Sequence, residues 1–439
     1  MSNIEIGLVG VGILLVLILL RVPIGVALGS VSFVGIWVLV GERAAWGILN
    51  AIPYDFAAHW SLSSVPMFLM MGFFCFHAGL TKGLFDAARK WLSGLPGGLS
   101  IATIAGATGF SAVTGSSVAC AAAMGRIAVP EMLRTKYDPG LATGTVAAGG
   151  TIGALIPPSI LLILFGIFAE VPISKLFIGG IVPGLLTALM YSLMIVGRVK
   201  VTPSLAPSYK DDVTFAEKMA SLRETWPVLL LIVAVFGGLF GGVFTATEAG
   251  AVGAFLSFVI AAIKRVLTWD TVKEAALETL VTTASIFVIA IGANLLTRFL
   301  ALSGTAEYLS EIIIGLSADP LMLVIGISVL YLLLGMILDP IGAMLLTLPI
   351  LLPVLEAGNI SLIWFGVLLC KYLEIGMITP PVGLNVFVIK GVVGDAVPLE
   401  TIFKGILWFL VADLITVTLM IAFPDTVLYL PNLMEAWSS

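Results

Sequence analysis

Charge is what this sequence has least of. Asp, Glu, Lys and Arg make up 11% of its 439 residues, 60% are hydrophobic, and the mean hydropathy is +1.16. A water-soluble chain of this length lacks the polar side chains to cover so much apolar surface, so the composition specifies a polytopic membrane protein. The net charge of −5 offers no basic surface for nucleic acid. There are two histidines, and the three cysteines, Cys75, Cys120 and Cys370, lie in apolar runs without CxxC spacing. That excludes a zinc site and a disulfide framework. No phosphate loop, ATP motif or nucleophile–base pair is present, so any energy this chain uses must come from a gradient or from a separate ATPase. The first apolar run, Ile6–Leu20, has no basic n-region and no small-residue cleavage site, and reads as a retained helix.

What the chain does have is an internal repeat built on two double prolines. Gly153-Ala-Leu-Ile-Pro-Pro-Ser159 recurs as Gly376-Met-Ile-Thr-Pro-Pro-Val382, 223 residues later (380 − 157), and Pro130 recurs as Pro353 at the same offset. Further on the register slips by three, with Val171-Pro172 recurring as Val397-Pro398. An interior proline costs about 3 kcal/mol and disfavours helix at the residue before it, so each double proline predicts an unwound step inside a membrane helix. Matched helix breaks in two hydrophobic halves point to the binding site of a secondary transporter.

In chain order, the pattern predicts helices over Ile6–Leu20, Pro23–Val40 and Ser64–Leu80, with a long loop over Glu42–Leu62. Thr81–Leu95 and Thr305–Leu316 read as amphipathic surface helices. Leu99–Met132 turns at Thr114-Gly115-Ser116-Ser117, and each arm of about 15 residues reaches only about 22 Å against a hydrocarbon core of about 30 Å. A re-entrant hairpin fits better than two crossings. Pro320–Leu355, turning at Asp339–Gly342, occupies the same place in the second repeat; there, length alone leaves a hairpin and two crossings equally open. Asp138–Ala169 and Ile360–Gly391 are the broken helices. Ile173–Val196, Trp226–Phe244, Glu248–Val266, Leu277–Leu300 and Thr401–Phe423 complete about ten crossings. Arg198–Glu224, which includes Lys210, is the one long polar insert, and Thr214/Glu217 and Thr245/Glu248 have capping-box spacing.

The fold expected is therefore an all-α polytopic membrane protein with two re-entrant hairpins and two broken helices. Residues 64–197 and 277–423 would be the two repeats of a moving domain. Residues 1–63 and 225–276 would be its scaffold, 198–224 a cytoplasmic linker and 424–439 a periplasmic tail. Lys82/Arg89/Lys90, Arg134/Lys136, the polar insert and Lys264/Arg265/Lys273 share one side if each hairpin returns to its origin. The positive-inside rule makes that side cytoplasmic, inverts one repeat against the other and places both termini outside. Arg43 and Lys175 are exceptions.

Backbone groups freed at such breaks must line a protein or water cavity. Their carbonyls suit a hard cation, and half-helix N-termini suit a carboxylate. Thr114, Gly115, Ser116 and Ser117 against Gly153, Ile156 and Ser159 form one candidate cation site. Asp339 and Gly342 against Thr379 and Val382 form its mirror. An anion would sit between the tips, near Ser116, Ser117, Ser159, Thr379, Gly383 and Asn385. Small residues also permit close helix packing, which is the bland explanation of an isolated Gly-Ser-Ser; the fixed offset favours the site. Arg126 and Lys390 are candidates for meeting an anion, although long basic chains also snorkel. Lys371 and Glu374, three apart, are expected to pair. Asp413 has no partner in sequence, and a proton site and a subunit contact are equally open. His77 is expected to be a hydrogen-bonded core residue.

Four segments, in this order, resemble the large membrane subunit of tripartite ATP-independent periplasmic (TRAP) transporters. They are Gly109-Phe-Ser-Ala-Val-Thr-Gly-Ser-Ser-Val-Ala119, Gly150-Thr-Ile-Gly-Ala-Leu-Ile-Pro-Pro-Ser159, Thr245-Ala-Thr-Glu-Ala249 and Thr379-Pro-Pro-Val-Gly-Leu-Asn385. The resemblance implies the ion-transporter superfamily fold, an elevator mechanism in the bacterial inner membrane, and no enzymatic activity or cofactor beyond sodium as coupling ion. It implies sodium-driven uptake of an organic acid delivered by a periplasmic solute-binding protein, with a small four-helix membrane subunit, not fused here, as partner. It makes the two tips and breaks the sodium and substrate regions. Arg126 and Lys390 depart from the family pattern. The alternatives are a single-component sodium-coupled dicarboxylate or citrate carrier and, from a different class, an intramembrane hydrolase using Asp339 or Asp413. The second lacks flanking motifs.

The topology is directly testable. Cysteines placed in Arg198–Glu224 and in Thr305–Leu316 should label from opposite faces of intact cells; labelling of both from one face would refute the inverted repeat.

Overall fold

A computed structural model describes residues 1–207, 213–316 and 320–438, so Lys210 of the polar insert lies outside the described residues. Every regular element among them is helical. Helices α1 (Asn3–Leu19) and α2 (Ile24–Val40) are followed by α3 (Glu42–Ala57), a helix where the polar composition predicted a loop. The reason is a helical stripe: Ala45, Ile52 and Phe56 are buried with the half-buried Ile48 between them, spaced three or four residues apart. Then come α4 (Ser64–His77) and the expected amphipathic α5 (Lys82–Leu92), which buries Phe85 and Ala87. His77 lies between Glu274 (3.1 Å) and Glu278 (3.2 Å), so it is a polar contact of α4.

The first hairpin is α6 (Gly98–Thr114) and α7 (Ser117–Arg134), and the first broken helix is α8 (Pro139–Thr151) and α9 (Ile160–Phe168). After them run α10 (Ile173–Val201), α11 (Phe215–Glu224), α12 (Trp226–Phe240) and α13 (Ala246–Ile263). Thr214 with Glu217 and Thr245 with Glu248 make the predicted capping boxes. The Thr214 N–H and hydroxyl hold the Glu217 carboxyl below its ordinary range. Helix α14 (Trp269–Ser303) starts earlier than hydropathy suggested, because Thr268 caps it through the Thr271 N–H.

The second repeat follows α15 (Thr305–Leu316). Its hairpin is α16 (Pro320–Gly335) and α17 (Pro340–Ala357), joined across by a hydrogen bond between the Tyr331 and Thr347 hydroxyls. Its broken helix is α18 (Leu362–Gly376) and α19 (Leu384–Val393), followed by α20 (Leu399–Ala422). The tail forms α21 (Asp425–Ser438), docked on α10 through Val427 against Gly179 and a Lys175–Glu435 ion pair of 2.9 Å.

The repeat extends to the caps. Ser116 caps α7 and Asp339 caps α17, a separation of 223 (339 − 116). Asp138 caps α8 and Ser361 caps α18, again 223 apart (361 − 138). Both double prolines are cis.

Six helices are long and apolar enough to cross a membrane, or up to eight if each bent pair counts once, among the described residues. This is fewer than ten. The broken helices are split into halves too short to qualify, and α1 and α2, at 17 residues each, reach about 25 Å.

The apolar interior divides in two. One core gathers the first hairpin, α8, the start of α19 and the first half of α20. The other gathers α9, α16–α18, α1–α4 and α12–α14. Each broken helix has one half in each core, so both breaks lie on the seam. Helices α8 and α20 cross at glycines: a β-carbon at Gly405 would lie 1.9 Å from the Gly140 carbonyl oxygen.

Four elements are tied by one buried polar network. Lys371 Nζ of α18 lies 2.5 Å from Asp413 Oδ1 of α20. The Tyr191 hydroxyl of α10 donates to the same oxygen at 2.6 Å and lies 3.2 Å from the Thr151 hydroxyl of α8. Lys371 and Asp413 are 0% exposed. The expected Lys371–Glu374 pair is therefore replaced by a pair between helices, and Asp413 has its partner. Sequence spacing favoured the neighbour on the same helix; the tertiary fold brings a closer carboxylate.

Because a lone buried charge is far costlier than a buried pair, Lys371→Met alone should cost about 3–5 kcal/mol. The double variant Lys371→Met with Asp413→Leu should recover most of that loss. Thermal unfolding in detergent measures both; equal losses in single and double variants would contradict the pairing.

Candidate functional site

The first tip is seated in the first break. Gly115 takes a left-handed conformation (φ +61°), and a β-carbon there would lie 2.1 Å from the carbonyl oxygen of Pro158. A β-carbon on Gly153 would lie 3.1 Å from the Ser116 carbonyl oxygen and from the Ser117 α-carbon. Glycine is thus required at position 115, a side chain at 153 would be tight, and the two backbones approach without intervening side chains. Five predicted residues, Thr114, Gly115, Ser116, Ser117 and Gly153, meet here. Ile156 is buried too, but its side chain packs against Gly184 of α10, so it can offer only its backbone.

The hydroxyls at this junction have local partners and spare lone pairs. The Ser116 oxygen accepts the Ala119 N–H at 3.4 Å, and the Ser159 oxygen accepts the Leu162 N–H at 3.2 Å. The Thr114 hydroxyl donates to the Phe110 carbonyl at 3.1 Å. A hydroxyl oxygen has two acceptor positions, so each can still serve a cation. Carbonyl and hydroxyl oxygens, with no nitrogen or sulfur ligand, are the donor set of a hard cation. The residues present therefore fit sodium.

The second half is built differently. Asp339 uses one carboxylate oxygen to accept the Gly342 N–H at 2.8 Å, so its first role is the cap of α17. A β-carbon on Gly342 would lie 2.4 Å from Ile24 Cδ1, which sets this tip against α2. The hairpin meets its break slightly earlier, where a β-carbon on Gly376 would lie 2.4 Å from the carbonyl carbon of Gly335. Thr379 bonds back to the Ile375 carbonyl at 2.6 Å, and Gly383 turns the chain with φ +61°. Val382 is largely exposed, at 38%. Asn385 is fully buried: its N–H closes the break onto the Met377 carbonyl (3.0 Å), and its side-chain amide donates to the Ala147 carbonyl of α8 (3.4 Å). Its Oδ1 has no hydrogen-bond partner among the described residues. Asn385 thus joins the second break to the first broken helix, and α19 packs on both α7 and α8.

Two basic candidates stand away from the tips. Arg126 is exposed on α7, ten residues and about 15 Å along the helix from Ser116. Lys390 donates to the Gly394 (2.5 Å) and Val397 (3.2 Å) carbonyls and closes the end of α19. A cavity of about 600 Å³ lies away from both breaks, between α3, α14 and α17, with Asp55, Glu170, Arg298 and Glu356 on its wall. Sequence reasoning named Glu374 only as a partner for Lys371 and missed its place at the first tip: it is 1% exposed and within hydrogen-bonding reach of the Ser117 hydroxyl. Its separation of 257 residues from Ser117 (374 − 117) follows no repeat offset, so no sequence signal announced it.

Known proteins match this arrangement along its length. The family described as tripartite ATP-independent periplasmic transporter, DctM component, matches residues 11–426. The chain is 34% identical over 382 residues to a C4-dicarboxylate TRAP transporter large permease protein of Pseudomonas aeruginosa, covering 86% of this chain and 88% of that protein. It is 32% identical over 397 residues to a sialic acid TRAP transporter large permease protein of Vibrio cholerae, covering 88% and 91%. Among solved structures, the Alcanivorax borkumensis YdaH transporter superposes with a TM-score of 0.61 at 16% identity, covering 87% of this chain and 88% of that one, a likeness of fold. With the match spanning both hairpins and both breaks, the chain belongs to the DctM component, the large permease subunit, of the tripartite ATP-independent periplasmic transporters.

Proposed function

We propose that this multi-pass membrane protein imports an organic acid across the bacterial inner membrane, driven by a sodium gradient. A periplasmic solute-binding protein would deliver the substrate, and a small four-helix membrane subunit would complete the complex. The observation that supports this best is the seating of Gly115 against the Pro158 carbonyl, which brings the backbone of the tip against that of the break. Thr114, Ser116 and Ser117, with backbone oxygens around Gly153 and Ile156, would hold one sodium ion. Backbone and hydroxyl oxygens around Gly342, Thr379 and Val382 would hold a second, with Asp339 fixing the tip. The acid would lie between Ser116, Ser117, Ser159, Thr379, Gly383 and Asn385, where half-helix N-termini favour a carboxylate. Dicarboxylate and sialic acid in the relatives' names support a carboxylate as the substrate class.

In an elevator cycle, the scaffold α1–α3 with α12 and α13 would stay fixed while the two repeats, residues 64–197 and 277–423, move with their ions. Both termini would face the periplasm. One charge crossing the membrane is worth about 2.3 kcal/mol per 100 mV, so two sodium ions with a monoanion would be driven inward by the potential.

Proteoliposomes containing this chain, the small subunit and the binding protein should accumulate labelled acid only under an inward sodium gradient. Uptake that proceeds equally in potassium would contradict sodium coupling. Uptake by this chain alone would identify a single-component carrier.

A further inference from the structure

Glu374 is a buried carboxyl group, 1% exposed, whose nearest cation is taken by another carboxylate. It lies one turn from Lys371 on α18, and the charged groups that reach it are Lys371 and Asp413. Lys371 is already committed to Asp413 at 2.5 Å. With one cation for two carboxyl groups, all at most 1% exposed, Glu374 has no cation of its own among the described residues. Glu374 Oε2 has no hydrogen-bond partner among the described residues. Buried charge without a counter-charge is not tolerated in such surroundings, so a further positive charge belongs beside it.

The carboxyl points at the first tip. Ser117 lies within its hydrogen-bonding reach, Cys120 one turn further along α7 is close enough to feel its charge, and α18 packs on the Ile152–Ala154 turn of the first break. These are the same segments that bring the Ser116 carbonyl to Gly153. We propose that Glu374 supplies the negative charge of the cation site formed by the first hairpin tip and the first broken helix. This inference rests on the sodium reading above and adds a residue to it from the other repeat. Uncharged carbonyls and hydroxyls alone would leave a sodium ion as a bare buried charge; with Glu374, ion and carboxylate neutralise each other. The first site is then completed by α18, the leading half of the second broken helix, so filling it also fastens the two repeats together. The N-terminal turn of α7 offers Glu374 a partial positive charge of its own, and a merely structural role would end there.

The test is thermal unfolding of the detergent-purified full chain, titrated with sodium chloride against choline chloride at constant ionic strength. The wild-type protein should be stabilised by sodium. Glu374→Gln keeps the size and removes the charge, and should raise the half-saturating sodium concentration at least tenfold. Glu374→Asp, which keeps the charge on a shorter arm, should raise it by less. Wild type and both variants responding to the same sodium concentration would overturn the assignment, as would variants whose stability falls equally in sodium and choline. A stabilisation that follows pH and ignores sodium would identify the missing charge as a proton and overturn it as well. A wild-type protein indifferent to sodium would instead remove the sodium reading on which the inference stands.

Discussion

A helix interrupted inside a bilayer must give its freed backbone groups to something other than lipid. Much of this structure answers that requirement. The first break receives the tip of the first hairpin, so closely that only glycine fits at position 115. The second break closes on itself through the Asn385 N–H and the Met377 carbonyl, and is braced where Gly335 meets Gly376. In both cases the partner is polypeptide backbone. At the first break that partner leaves carbonyl oxygens gathered in a buried space, which is also what an ion without its hydration shell requires; the second break is partly exposed at Val382.

The breaks lie where two apolar cores meet, with one half of each broken helix in each core. Irregular backbone at such a seam leaves the close packing within either core intact. The Lys371–Asp413–Tyr191–Thr151 network holds α8, α10, α18 and α20 together, so it crosses between the repeats. Asn385 crosses in the same sense by binding the Ala147 carbonyl. The two broken helices are therefore held to each other by polar contacts.

The double prolines made both breaks legible, because proline's missing N–H and its clash with the preceding turn act locally, whatever the fold. Glycine and serine at Gly115-Ser116-Ser117 located the first tip for a similar reason. The caps at Asp138, Ser116, Ser361 and Asp339 obey the same 223-residue offset and were open to the same comparison. What depended on packing was not legible. Glu42–Ala57 contains enough polar residues to suggest a loop until its buried stripe has something to rest on. The partner of Lys371 lies 42 residues away on another helix, and Glu374 lies beside Ser117 through a contact that no spacing encodes. Asp339 was legible as a charged tip residue, but its use as a helix cap needed the geometry of the Gly342 N–H.

The central claim is that tip and break of the first repeat act as one ion-binding unit, coupled to the second. Hydrogen–deuterium exchange of the reconstituted chain, in sodium and in potassium, measures it most directly. Sodium should slow exchange together in peptides covering residues 111–120, 150–160 and 371–385. Protection confined to one of these segments, or none in sodium relative to potassium, would contradict the account.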